Sequence, residues 1–183
     1  PFFIYPSFPN RGLLQLLEIF PRIVEKFPDA HLDVFVRFDL DYLKQFPEMD
    51  RIKELLKEQQ VNVTNHGWVP QVVLRRYWKR AQIWLYPCVF AETFCKCAQE
   101  AAASKTLAIT SDLAALNETV SNRGIRITGD PRSNEWKDRA VEFVRGILGD
   151  TINVTSLVDA NYTWAKACTY EKVVANFYEQ LTQ

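Results

Sequence analysis

Glycine is scarce in this sequence, with six residues among 183. None of them forms the Gly-x-Gly-x-x-Gly run that opens a dinucleotide-binding oxidoreductase, so we exclude that class. Net charge is also lacking, because 22 lysines and arginines balance 22 aspartates and glutamates. This balance argues against a dedicated nucleic-acid-binding protein, although it does not exclude a local basic cleft.

Long apolar runs are missing as well, and the longest fall well short of the ~18 residues that a membrane-spanning helix needs. No signal peptide is visible at the start of the sequence. The four cysteines lack the spacing of a zinc site or a disulfide framework. We therefore expect reduced thiols and a cytoplasmic location, and we interpret four Asn-x-Ser/Thr triplets, which would favour secretion, as coincidental.

Short apolar runs alternate with segments of helical periodicity along the chain. The predicted strands are residues 2–5, 31–36, 61–66, 82–86, 106–110 and 124–128. The predicted helices are residues 12–27, 47–60, 70–80, 93–104, 112–121, 134–148 and 161–181, with a linker-like stretch at 149–158. This alternation predicts an α/β fold, a Rossmann-like three-layer sandwich with a six-stranded parallel sheet.

The segment AETFCKCAQEA carries two glutamates, Glu92 and Glu100, around the start of a predicted helix. We expect Thr93 to cap this helix and the free N–H groups near Phe94–Lys96 to form an anion site. Glu92 would then lie in the loop before the helix and Glu100 about two turns inside it. A nucleotide sugar, with hydroxyl groups on either side of a diphosphate, would fit all three features.

Several segments resemble one family in the family's own order. They include IYPSFPNRGLLQLL, NHGWVPQ, AETFCKCAQEAAASK and YTWAKACTYEKVVANF. Together they look like the C-terminal, nucleotide-sugar-binding half of a GT-B glycosyltransferase, most similar to the retaining family 4. The resemblance implies one donor-binding domain over residues 1–183, cut from a longer enzyme whose N-terminal, acceptor-binding domain is absent.

The resemblance also implies roles for individual residues. In the first turn, Arg11 and Gly12 would contact the diphosphate, and Ser7 would stand in for a basic residue that many members have there. Arg11 would also stabilise charge on the leaving diphosphate, and Glu92 would orient the donor sugar, so these two are the catalytic candidates.

Three further parts of the donor are assigned in the same way. Glu100 would bind the ribose, while Gly67 and Trp68 would lie near the nucleobase. The phosphate-binding N–H groups belong to the segment Phe94, Cys95 and Lys96. Cys95, like Lys105 after the helix, stands where the family usually has glycine.

No cofactor and no metal are expected beside the UDP- or GDP-sugar substrate. Asp39 and Asp41 imitate the metal-binding Asp-x-Asp of another glycosyltransferase fold, but GT-B enzymes do not use that motif. The partners expected are therefore the donor and the absent acceptor domain, with no nucleic acid and no transmembrane segment in this chain. A non-catalytic nucleotide-binding or protein-interaction module is the alternative, since Cys95, Lys105 and the missing second basic residue depart from the family pattern.

Overall fold

A computed structural model describes residues 1–181 and shows the predicted α/β sandwich. Its six strands form one sheet in the order β3-β2-β1-β4-β5-β6, and every pairing is parallel. The strands are β1 Phe2–Tyr5, β2 His31–Val34, β3 Val63–Asn65, β4 Ile83–Tyr86, β5 Leu107–Ser111 and β6 Ile125–Ile127. All six predicted strands are present, some shortened by one to three residues.

Eight α-helices connect and flank the strands within the described residues. They are α1 Leu13–Val24, α2 Glu48–Glu58, α3 Gln71–Arg80, α4 Lys96–Ala103, α5 Leu116–Thr119, α6 Asn134–Leu148, α7 Thr155–Ala167 and α8 Tyr170–Leu181. Helix α1 packs against α2 and α6, and helix α4 packs against α7. No helix in the described part of the chain is both long and apolar enough to cross a bilayer.

The core follows from the apolar pattern of the strands and of α1. Each residue of β4 and β5 is buried, as expected for central strands covered on both faces. On α1, buried residues recur at helical spacing and face the sheet, and the helix continues through Pro21. This arrangement leaves the carboxyl ends of the strands at one edge of the sheet, where the connecting loops meet.

Three predicted helices differ from those observed. The helix predicted over 93–104 begins only at Lys96, and Thr93 is not its cap, because Cys95 has a left-handed backbone with φ of 64°. The segment predicted as helix 112–121 forms only a single α-helical turn. The segment 161–181 is divided near Cys168, and its first helix already starts at Thr155, inside the predicted linker.

Two of the positive-φ residues occupy positions where the family usually has glycine. Cys95 precedes α4 with φ of 64°, and Lys105 follows α4 with φ of 57°. Glycine adopts this conformation without the steric cost that a Cβ atom imposes, roughly 1 kcal/mol for such a residue. The chain therefore has a left-handed turn at each end of α4 and tolerates the strain of a non-glycine residue there.

Candidate functional site

A cavity with a volume of about 570 Å³ lies at the carboxyl edge of the sheet. Loops after β1, β2, β3 and β4 each contribute to its wall, as expected for a ligand site in an open α/β sheet. Seven of the residues predicted from the sequence line it: Ser7, Arg11, Trp68, Glu92, Phe94, Cys95 and Lys96. The structure therefore brings together segments that are as much as 89 residues apart in the sequence, from Ser7 to Lys96.

An ion pair between Arg11 and Glu92 forms part of the cavity wall. Arg11 Nη1 lies 3.0 Å from both carboxylate oxygens of Glu92, and the Tyr86 hydroxyl donates to Glu92 Oε1 at 2.7 Å. Glu92 is only 7% exposed, whereas Arg11 is 29% exposed. A carboxylate buried to this extent needs such partners, because an unpaired buried charge is strongly unfavourable.

The guanidinium of Arg11 is also held by aromatic rings. Its Cζ atom lies 4.4 Å from the centre of the Phe90 ring and 5.4 Å from that of Phe8. Burial lowers the pKa of Arg11, but the Glu92 carboxylate outweighs it, so the pKa is raised overall. Arg11 is thus a permanent cation with a fixed position and one side open to the cavity.

Hydroxyl groups beneath the ion pair stay neutral. Burial raises the pKa of Tyr86, and the neighbouring Tyr5 raises it further. The Tyr86 hydroxyl lies 3.2 Å from Ser7 Oγ, and because it already donates to Glu92, it accepts this second hydrogen bond. Ser7 is therefore connected to Glu92 through Tyr86, a connection that the sequence does not reveal.

Helix α4 directs its N-terminus at the cavity. The N–H groups of Lys96 and Cys97 have no hydrogen-bond acceptor among residues 1–181, and both residues line the cavity. Free N–H groups and the helix dipole favour an anion at this position. The Lys96 side chain is exposed and forms no ion pair within the described residues, so it adds a second positive charge there.

The cysteines around this helix are packed thiols rather than reactive ones. Burial raises the pKa of Cys88 to about 11. The pKa of Cys97 is raised as well, by a contact with Cys95 and by burial. Thiols with raised pKa values stay protonated at neutral pH and are poor nucleophiles.

Three predicted site residues do not line the cavity. Gly12 lies behind it, in close contact with the backbone of Pro87, and Gly67 forms the turn after β3 with φ of 66°. Glu100, predicted to bind ribose, accepts a hydrogen bond from Trp78 Nε1 at 3.1 Å and another from Gln71 Nε2. Its contact with ribose stays a prediction, and its observed role is to satisfy the N–H group of a buried tryptophan.

We expect Glu100→Ala to lower the free energy of unfolding by about 1–3 kcal/mol, because it would leave the buried Trp78 N–H without an acceptor. Glu100→Gln keeps an acceptor oxygen and should cost much less. Urea unfolding of the two variants measures this difference. Equal losses for both would mean that the hydrogen bond to Trp78 does not contribute to stability.

Other cavity residues escaped sequence reasoning. Phe35, Arg37, Leu40 and Phe90 line the cavity, and each follows the carboxyl end of a strand. Their position after a strand is a signal that could have found Arg37, Leu40 and Phe90, whereas Phe35 falls inside the predicted strand 31–36, which ends at Val34 in the structure. Both aspartates of the segment that imitates the metal-binding Asp-x-Asp motif form ion pairs. Asp39 pairs with Arg37, and Asp41 pairs with Lys44.

Comparison with known proteins assigns the chain to a family. The model of the family described as "Glycosyl transferases group 1" matches residues 3–146, so the chain belongs to that family. The predicted resemblance to the C-terminal domain of a GT-B glycosyltransferase is confirmed. No curated protein sequence matches this chain significantly.

Solved structures share the fold at low sequence identity. The Anabaena protein HepE, in complex with UDP, has a TM-score of 0.76 at 11% identity, over 99% of this chain and 48% of its own. The pneumococcal O-GlcNAc transferase GtfA, in complex with UDP and GlcNAc, scores 0.75 at 12% identity, over 99% and 35%. A sucrose-phosphate synthase from Thermosynechococcus elongatus scores 0.74 at 21% identity, over 100% and 45%. The chain thus spans roughly a third to a half of these proteins.

Proposed function

We propose that this domain binds the nucleotide-sugar donor of a retaining, metal-independent glycosyltransferase that transfers a hexose. The donor is a UDP- or GDP-sugar, and the acceptor-binding domain belongs to a longer protein. The observation that carries this proposal is the meeting of the fixed Arg11 guanidinium with the free N–H groups of α4 at one cavity. Two structures of the same fold contain UDP, which makes UDP the first ligand to test.

In this proposal the diphosphate lies between Arg11 and the start of α4. Both groups are positioned before the ligand arrives, so they stabilise charge that grows on the leaving diphosphate without reorganisation. The cavity supplies this charge from protein groups, since Arg11, Arg37 and Lys96 all line it. We propose that these protein groups neutralise the diphosphate in place of a metal ion, and we expect donor binding to persist in excess chelator.

Glu92 has a different role from the one expected of a free carboxylate. Its oxygens hold Arg11 and accept from Tyr86, so it positions the phosphate-binding cation. We propose that the Glu92 carboxylate also borders the donor sugar. In this way one ion pair would contact both the phosphate, through Arg11, and the sugar, through Glu92. The ribose contact of Glu100, the base contact of Trp68 and the cytoplasmic location stay predictions.

A non-catalytic module remains the second candidate, and a specific observation favours it. The charge of Arg11 is already balanced by a buried carboxylate, and Cys95 has a left-handed backbone in the turn where the resemblance implies glycine. A module that no longer binds nucleotide would keep these features as structural contacts.

Calorimetry separates donor binding from a module that no longer binds nucleotide. We expect UDP or GDP to release heat on titration into the domain and to bind at least tenfold more tightly than the corresponding monophosphate, because a charge-assisted phosphate contact contributes roughly 1.5–3 kcal/mol. The affinity should not change when EDTA is added. No heat with either diphosphate would contradict donor binding and support the non-catalytic module.

A further inference from the structure

Three cations line the cavity, and each comes from the loop after a different strand. Arg11 follows β1, Arg37 follows β2 and Lys96 follows β4, and these strands are neighbours in the sheet. Parallel neighbours end at the same edge, so the three charges lie around one space. The proposed function uses Arg11 and the N-terminus of α4, and it assigns no ligand contact of its own to Arg37.

Arg37 is held in a two-pronged ion pair by an exposed partner. Its Nε donates to Asp39 Oδ1 at 2.6 Å, and its Nη2 donates to Asp39 Oδ2 at 2.5 Å. The two side chains are 47% and 66% exposed. Arg37 lines the cavity, whereas Asp39 is not among the lining residues.

The partner of Arg37 can be exchanged, unlike that of Arg11. An exposed ion pair contributes little to stability, because water solvates both charges when the pair separates. A phosphate group presents two oxygens with the spacing that a guanidinium fork recognises in a carboxylate. The Arg11 pair is different, because its separation would leave the buried Glu92 carboxylate without a counter-charge.

We propose that Arg37 is a second cationic contact for the donor diphosphate and exchanges Asp39 for phosphate oxygens when the donor binds. The inference rests on the proposed function and adds a residue to it. Arg37 thereby supplies the charge that Ser7 lacks, from the loop after β2, which is separated from β4 by β1 in the sheet. Asp39 holds the guanidinium in the empty site and competes with the ligand for it.

Competition by Asp39 predicts effects of opposite sign for the two members of one ion pair. Arg37→Gln should weaken binding of the nucleoside diphosphate about tenfold, the loss typical of a charged hydrogen-bonded contact. Asp39→Asn should tighten binding about threefold, because it removes a competing negative charge beside the phosphate. A pair that served only stability would not produce opposite changes in affinity.

The experiment is a set of calorimetric titrations with UDP and GDP into the wild-type domain and the variants. The matched control is Arg51→Gln, since Arg51 also forms exposed ion pairs, with Glu54 and Glu58 on α2, but does not line the cavity. We expect this control to bind like wild type. Pyrophosphate, used as a competitor of the bound nucleotide, tests whether the contact is to phosphate, and Arg37→Gln should weaken it by the same factor.

Three results would overturn the inference while leaving donor binding intact. These are wild-type affinity in Arg37→Gln, weaker binding in Asp39→Asn, and a loss for nucleotide that is absent for pyrophosphate. The last result would assign Arg37 to the base or ribose. A wild-type domain that binds neither diphosphate would instead contradict the proposed function itself, and the inference with it.

Discussion

Gly12→Ala should lower the free energy of unfolding by roughly 3 kcal/mol or more, the largest stability effect of any substitution proposed for this chain. A Cβ atom at Gly12 would lie 2.1 Å from the carbonyl oxygen of Pro87, a backbone atom that no side-chain rotation can move aside. The backbone φ of 127° adds strain for any residue with a Cβ. Urea unfolding of the purified domain measures the loss.

Gly67→Ala is the matched control for this prediction. Gly67 also has a positive φ, 66°, but a Cβ atom there would meet nothing within 4 Å. The control therefore bears only the conformational cost, about 1 kcal/mol. Equal, small losses for the two variants would show that the segment around Pro87 moves freely and that the turn is not held by close packing.

The second large effect is expected for Arg11→Ala, which should abolish both a ligand contact and a structural one. Nucleoside diphosphate binding should weaken by at least tenfold, because a charge-assisted contact is lost. The free energy of unfolding should fall by about 2–3 kcal/mol, because Glu92 would remain buried without its cation. The loss is smaller than for a fully buried pair, because water partly solvates the Arg11 side of this one.

The double variant Arg11→Ala/Glu92→Gln separates these two effects. It removes the unpaired buried charge while keeping an acceptor for the Tyr86 hydroxyl. The free energy of unfolding should therefore be higher than that of Arg11→Ala by about 1 kcal/mol or more, because a buried neutral amide costs less than a buried unpaired charge. Nucleotide binding should stay weak. If the double variant is less stable than Arg11→Ala, the ion pair does not explain the stability of this site.

The fold could be predicted because its signals are local. The strands around β4 and β5 are continuous apolar runs, and α1 and α6 show helical periodicity, so composition and spacing alone indicate alternating strands and helices. The first and last residues of the helices were harder to predict from the sequence. The start of α4 depends on the left-handed backbone of Cys95. This conformation is uncommon for residues other than glycine, so a cysteine at this position does not predict it.

Within the site, the sequence indicated the residues but not their partners. The resemblance assigns Arg11 and Glu92 separate roles and does not reveal their contact. Their contact joins positions 81 residues apart and depends on the tertiary fold. The same limit applies to Glu100, whose bond to Trp78 connects α4 to α3, and to Arg37, whose place in the cavity follows from strand order.

The most direct test of the central claim is the response of backbone amides to a nucleoside diphosphate in ¹H–¹⁵N spectra. If the diphosphate lies between Arg11 and the start of α4, the N–H signals of Lys96 and Cys97 should shift most. These groups have no acceptor among the described residues, so a phosphate oxygen would become their first hydrogen-bond partner. Largest shifts on α6 or α7, with Lys96 and Cys97 unchanged at saturation, would contradict the account.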